Sequence, residues 1–310
     1  MTATEVLVTA GRRSAPTSRP KRRRTPHKGA IAIFTGPFSI LFLLFYLIPI
    51  GYAVWQSLLV VEREGLYGKP TEVFGGLTQY GLVFQSGPFW ESVGRVLLFG
   101  IVQVPVMLGL ALLFALLLDS PALKGKKFFR LAFFAPYAVP GVIAAIMWGF
   151  LYSPNLSPFT NVTQAVDFLS PQLVLWSIAN VVTWVFIGYN MLIIYSALLA
   201  IPSEVYEAAR LDGAGQIRIA WSIKIPIVAP ALILTAVFSI IGTLQLLAEP
   251  QVFRSFSAAV SSTYTPNMTI YATSSIPNPN LAAAFSVVLA AATFVLSFAF
   301  LKITQRKAEQ

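Results

Sequence analysis

Long stretches of this chain carry no charge. Gly29 to Val61, Val96 to Leu118, Leu131 to Val166, Phe168 to Ser203, Ile225 to Ala248 and Ser255 to Leu301 contain no Asp, Glu, Lys or Arg. A helix that crosses the hydrocarbon core of a bilayer needs about 20 apolar residues. Turn signals such as Ser153-Pro154-Asn155 and Pro277-Asn278-Pro279-Asn280 divide the longer runs into span and loop. The pattern predicts an all-α integral membrane protein with six transmembrane helices, at about 31–58, 93–118, 131–152, 172–199, 229–249 and 281–301. Residues 1–30 read as a disordered basic tail, 31–302 as the six-span domain and 303–310 as a short C-terminal tail.

The polar insert between the fourth and fifth spans, residues 200–228, has a pattern of its own. Ser203 is placed to cap a helix, with Glu204 and Glu207 in its first turns, where the helix dipole favours acids. Val205, Ala208 and Ala209 give that helix a small apolar side. Asp212-Gly213 supplies a turn, with Asp212 expected to cap the next helix. On the second helix Ile217, Ala220 and Trp221 recur at helical spacing, and Pro226 is expected to stop it before Pro230 opens the fifth span. An interfacial helix resting on lipid is rich in Lys and Arg opposite bulky apolar residues. Acids and alanines instead suit close approach by another protein.

Composition agrees with the membrane reading. Hydrophobic residues make up 56% of the 310 and charged residues 11%, whereas soluble domains carry about 25% charge. Of the 22 basic residues, eight lie in residues 1–30, four in 119–130, three in 200–228 and three after 301. The positive-inside rule therefore puts both termini and the 200–228 loop in the cytoplasm. The basic tail fixes topology and touches anionic lipid. It has no aromatics interleaved among its charges, so nucleic acid is not the expected partner. With no Cys and one His, His27 in the tail, no metal site is expected. A membrane enzyme is poorly supported, since clustered carboxylates are missing as well. The nearest approach to a phosphate-binding loop, Gly65-Leu66-Tyr67-Gly68-Lys69-Pro70-Thr71, has the wrong spacing, so no nucleotide-binding motif is present.

Polar side chains within spans mark bundle interiors or cavities. At 100° per residue, Asn180, Thr183, Trp184 and Asn190 of the fourth span fall within about 120° of arc. Thr235, Ser239, Gly242, Thr243 and Glu249 share a similar arc on the fifth, with Gln245 at its edge. Ala282, Ser286, Ala290, Thr293 and Ser297 form a small, weakly polar stripe on the sixth, which suits helix packing. Glu249 ends the fifth span beside Pro250, either as a solvated helix-end acid or as a contact for an extracytoplasmic partner protein or arriving solute.

The insert resembles a known family. Glu207-Ala208-Ala209, Asp212-Gly213-Ala214 and Ile223-Lys224-Ile225-Pro226 follow the EAA signature of ABC importer permeases: E-A-A, three residues to glycine, nine more, then I-x-L-P, with Ile225 where leucine is usual. Gly76-Leu77-Thr78-Gln79-Tyr80 and Phe89-Trp90 are similar to the carbohydrate-uptake branch, of the maltose and glycerol-phosphate permease type. The resemblance implies a transmembrane subunit of a binding-protein-dependent importer in a bacterial plasma membrane, moving an oligosaccharide or glycoside. It implies a second permease subunit, a paralogue, and two cytoplasmic ATPase subunits that carry ATP and Mg. It also implies an extracytoplasmic sugar-binding protein. Carried over by position, Glu207 contacts the ATPase, Gly213 allows the turn and Asp212 caps the second helix. On this reading Trp184 and Tyr189 are placed to stack on a sugar ring while Asn180 and Asn190 bond its hydroxyls, and Trp184 is equally suited to core or lipid. The Ser- and Thr-rich stretch after Pro250 departs from the Gly-Gly-Pro-rich turn of many sugar permeases. The alternatives are a permease for a non-sugar solute and an ion- or proton-coupled secondary transporter, which calls for charges inside spans.

Overall fold

The computed structural model describes residues 28–63, 69–275 and 278–308. The basic tail before Lys28, the Gly65-to-Gly68 stretch, Pro277 and the last two residues lie outside these, together with the expectations placed on them. The chain divides into two units, residues 1–50 and 51–310.

The first unit contains α1 (Lys28–Phe42), a widened π turn (Leu43–Leu47) and the start of α2 (Ile48–Gln56). Ile33–Gln56 is long and apolar enough to cross a membrane. Its side chains are exposed, Phe34 by 83%, which is stable only where lipid or another chain covers them.

In the second unit, strands β1 (Leu59–Arg63) and β2 (Pro70–Phe74) pair antiparallel, with Val60 opposite Val73. This hairpin is an addition to the all-helical expectation. The Gly76-Leu77-Thr78-Gln79-Tyr80 stretch fastens it. Gly76 takes a left-handed φ of 58° into α3 (Thr78–Gln85). Gln79 Nε2 then donates to the Leu59 carbonyl at 3.1 Å, and the Tyr80 and Ser57 hydroxyls meet at 2.6 Å.

The long helices α4 (Gly87–Asp119) and α8 (Val174–Leu199) form the spine. The buried side of α4 runs Phe89, Ser92, Val96, Phe99, Gln103, Met107, Ala111, Ala115 and Leu118. Steps of three and four residues put these on one stripe. In lipid, helix association rests on close packing rather than on release of water, so small residues matter at contacts. Ala111 and Ala115 are fully buried against Met191, Ile194 and Leu198 of α8. Gly188 of α8 lies so near the Phe133 carbonyl that no Cβ fits there. A second cluster, with Phe99, Tyr152, Ile178, Val181, Phe253 and Met268, fills the other end.

The third span departs from expectation. Instead of one helix over 131–152, α5 (Lys126–Phe134) passes through a 3-10 turn (Ala135–Ala138) and bends by 96° into α6 (Gly141–Tyr152). Pro136 and Pro140 remove two backbone donors, and the residue before a proline prefers extended backbone. Val139 accordingly has ψ of 123°. Among the described residues five helices are long and apolar enough to span, or six with this bent pair counted as one. After α7 (Thr160–Ala165) and α8 come α9 (Ser203–Leu211), α10 (Gln216–Ile219), a π turn (Ala220–Lys224) and α11 (Ile225–Leu244). The chain continues through α12 (Ala248–Phe253), α13 (Pro266–Ser275) and α14 (Pro279–Ala308). Helix α14 continues to Ala308, into the segment expected to be a C-terminal tail.

Candidate functional site: a cavity inside the bundle and a docking loop at its end

Side chains of α4, α8 and α11 and the 245–249 segment enclose a cavity of about 400 Å³. Its polar wall is made by Gln103, Asn190, Ser239, Thr243, Gln245 and Glu249, and its apolar wall by Met107, Phe186, Tyr189 and Phe238 among others. Five residues expected along a solute path therefore converge here: Tyr189, Asn190, Ser239, Gln245 and Glu249. Asn190 is buried and donates to the Phe186 carbonyl at 3.0 Å, and its Nδ2 lies 3.7 Å from Met107 Sδ. Tyr189 stacks on Tyr137 with ring centroids 4.8 Å apart.

Three expected residues do not line this cavity. Asn180 donates to the Tyr152 hydroxyl at 2.8 Å, Thr183 accepts from Gln103 Nε2 at 3.2 Å, and Trp184 stacks edge-on with Trp148. Asn180 and Trp184 face α6, and Thr183 sits behind Gln103 of α4, so this part of the arc does not line the cavity. Of the sixth-span stripe, Ser286, Ala290, Thr293 and Ser297 line a separate open groove of about 760 Å³ beside α11 and α13. The Ser286 and Thr293 hydroxyls bond back to their own helix, to the carbonyls of Ala282 and Leu289.

Glu249 corrects the reading of a solvated helix-end acid. Helix α11 ends at Leu244, and the break over residues 245–247 turns Glu249 inward in the first turn of α12, where it is 9% exposed. Its Oε1 sits 2.9 Å from where a Cβ on Gly141 would lie, at the first residue of α6. Gln103 was missed. It is the lone amide in the apolar run Phe99 to Leu108, and a polar residue at that depth is costly enough to be a signal.

The polar insert begins at α9, which starts at Ser203 behind Pro202 without a side-chain cap, so the expected Ser203 cap is not formed. Asp212 does not cap the second helix either. It closes α9, and Gly213 follows with φ of 80°. The Ala214 N–H donates to the Ala209 carbonyl at 2.9 Å and the Gly213 N–H to the Arg210 carbonyl at 3.0 Å. This pair of bonds is a Schellman closure, in which glycine supplies the left-handed residue. Helix α10 then starts behind Gly215. Pro226 does not stop it. In the π turn the Ile225 N–H reaches back five residues to the Ala220 carbonyl, and this widened turn relieves the proline clash. Pro230 sits inside α11, so α10, the π turn and α11 form one continuous rod.

One side of this element is anchored and the other is bare. Ile219 is buried, and Lys224 pairs with Asp119 at the end of α4 at 2.5 Å. The Lys224 ammonium also stands 5.1 Å from the Tyr206 ring centroid. Burial, and then the Asp119 charge, push the Tyr206 hydroxyl above its ordinary pKa. Ile223 and Ala214 are half-buried, whereas Glu207, Ala208, Asp212, Gly213 and Pro226 are exposed, as are Leu211, Ile217 and Trp221. Ala209 is half-buried.

Relatives agree with this architecture. The diacetylchitobiose uptake system permease protein NgcF of Streptomyces coelicolor is 26% identical over 312 residues, covering 93% of this chain and 87% of the relative. The sn-glycerol-3-phosphate transport system permease protein UgpA of Agrobacterium fabrum is 29% identical, over 66% of this chain and 70% of its own. A chain of a bacterial alginate ABC transporter, solved with a periplasmic protein bound to alginate pentasaccharide, superposes with a TM-score of 0.75 at 17% identity. That match covers 91% of this chain and 96% of the other, and shows a shared fold. Residues 84–309, from α3 through α14, match the family described as binding-protein-dependent transport system inner membrane component. The chain, a multi-pass membrane protein and a transport component rather than an enzyme, belongs to that family.

Proposed function

We propose that this chain is one of two permease subunits of a binding-protein-dependent ABC importer for a saccharide. The 400 Å³ cavity of amides, hydroxyls and aromatic faces is its share of the path, in the range of small-molecule sites. The observation that carries the reading is the α9–α10 element. It presents acids and bare apolar side chains outward, is closed by Gly213, and runs without a break into α11. A rod of this kind turns a push from a water-soluble ATPase into motion of a span. Glu207, Ala208, Ala209, Asp212, Gly213, Ala214, Ile223 and Pro226 belong to it. ATP and Mg would be held by partner ATPase subunits, with this element and both termini in the cytoplasm. A sugar-binding protein would deliver solute from the other side. The sugar branch is supported by the names of the relatives and by a cavity built for hydroxyls. A buried acid such as Glu249 also occurs in proton-coupled carriers, but such carriers need no docking rod.

The test is Glu207→Arg in the assembled transporter. The expected result is loss of sugar uptake and weakened co-purification of the ATPase, with the permease still folded. Normal uptake and normal association would refute the coupling role.

A further inference from the structure

We infer that Glu249 makes the cavity a discriminator of substrate charge, admitting uncharged or amine-bearing saccharides and rejecting those with phosphate or carboxylate groups. The inference rests on the saccharide-path reading and narrows it.

Among the described residues, Glu249 is the only acid lining the cavity, and no Lys, Arg or His lines it. Its side chain belongs to a residue nine-tenths buried, so bulk water and salt screen its field weakly. The first residue of α6 lies against Oε1, which stands 2.9 Å from where a Cβ on Gly141 would lie. The N-terminus of a 12-residue helix favours a negative group. The Glu249 carboxyl thus faces a helix end, and no side-chain cation lines the cavity to cancel its charge. The remaining polar groups, Gln103, Asn190, Ser239, Thr243 and Gln245, are amides and hydroxyls that donate and accept, as sugar hydroxyls require. Proteins recognise phosphate and carboxylate through Arg forks or Lys. An anionic sugar here would meet Glu249 without either, whereas an amine would find a partner.

Three disaccharides of similar size and different charge test this: N,N′-diacetylchitobiose, chitobiose with its free amines, and a dimannuronate. Each is titrated into the assembled transporter in nanodiscs without the binding protein, so that only the permease path is read. In the unaltered transporter the dimannuronate should bind at least about tenfold more weakly than the neutral sugar. Glu249→Gln should bring the two within about threefold and weaken chitobiose about tenfold. The variant's intact fold is checked by co-purification of the ATPase and by its Tm in detergent. Equal binding of dimannuronate and neutral sugar by the unaltered transporter, or ratios unchanged by Glu249→Gln, would overturn the charge filter alone. Absence of binding by all three sugars would overturn the saccharide reading and this inference with it.

Discussion

Lys224→Ala breaks the one ion pair found among the described residues, and its cost is set by where the pair sits. The side chains of Lys224 and Asp119 are 9% and 12% exposed and meet at 2.5 Å. Removing one partner of a buried pair strands the other, at a cost of about 3–5 kcal/mol. Lys126 Nζ reaches only the Asp119 backbone carbonyl, at 3.3 Å, and offers the stranded carboxylate no direct replacement there. The pair lies at the end of α4 rather than at mid-membrane depth, so the lower end, about 3 kcal/mol, is expected. For a domain of this size that lowers Tm by at least about 5 °C. Asp119→Leu should cost a similar amount. The double variant Asp119→Leu/Lys224→Met removes both charges and should return to within about 1 kcal/mol of the parent, since apolar replacement of a buried pair is often neutral. The assay is thermal unfolding of the purified transporter in one detergent, read by tryptophan fluorescence, as a double-mutant cycle. If the double variant is as unstable as the two singles summed, the groups do not interact and the anchoring argument fails.

Two further variants separate packing from docking. Gly188→Ala forces a methyl onto the Phe133 carbonyl and should destabilise by about 1–3 kcal/mol. Gly94→Ala, a helical site with open space around the new methyl, should be neutral or slightly stabilising; equal thermal stability of the two would refute the close-approach account. Trp221→Asp alters a side chain that is 70% exposed, so Tm should hold while ATPase affinity, measured by pull-down titration, falls about tenfold or more. Unchanged affinity would remove Trp221 from the docking face.

Long apolar helices were legible because hydrocarbon thickness sets a length that a charge-free run must meet. The turn at Gly213 was legible as a glycine, though its partner assignments were not. The sequence suggests Asp212 as a cap for the second helix of the loop, but the left-handed glycine lets backbone groups close α9 unaided. Pro226 and Pro230 misled for a tertiary reason. A proline stops a helix in water, whereas a widened turn and packed neighbours carry the helix through it. The bend in the third span was written in Pro136 and Pro140, whose effect a hydropathy average conceals. Glu249 turned inward because of a helix break that no periodicity contains. The Lys224–Asp119 contact joins residues 105 apart, which local patterning does not show.

The π turn at Ala220–Lys224 amounts to a phase adjustment. An α-helix advances about 100° per residue, and one surplus residue in a turn offsets everything beyond it by about that angle. The polar segment before the turn and the apolar span after it each have an inward side, and without the surplus residue those sides point in different directions along a single rod. With it, Ile219 before the turn and Val228 after it are both buried, and Lys224 itself reaches Asp119. The two ends of the rod thus satisfy different surroundings without a hinge between them. A force applied at α10 would arrive at the cavity as displacement rather than be lost in a flexing joint.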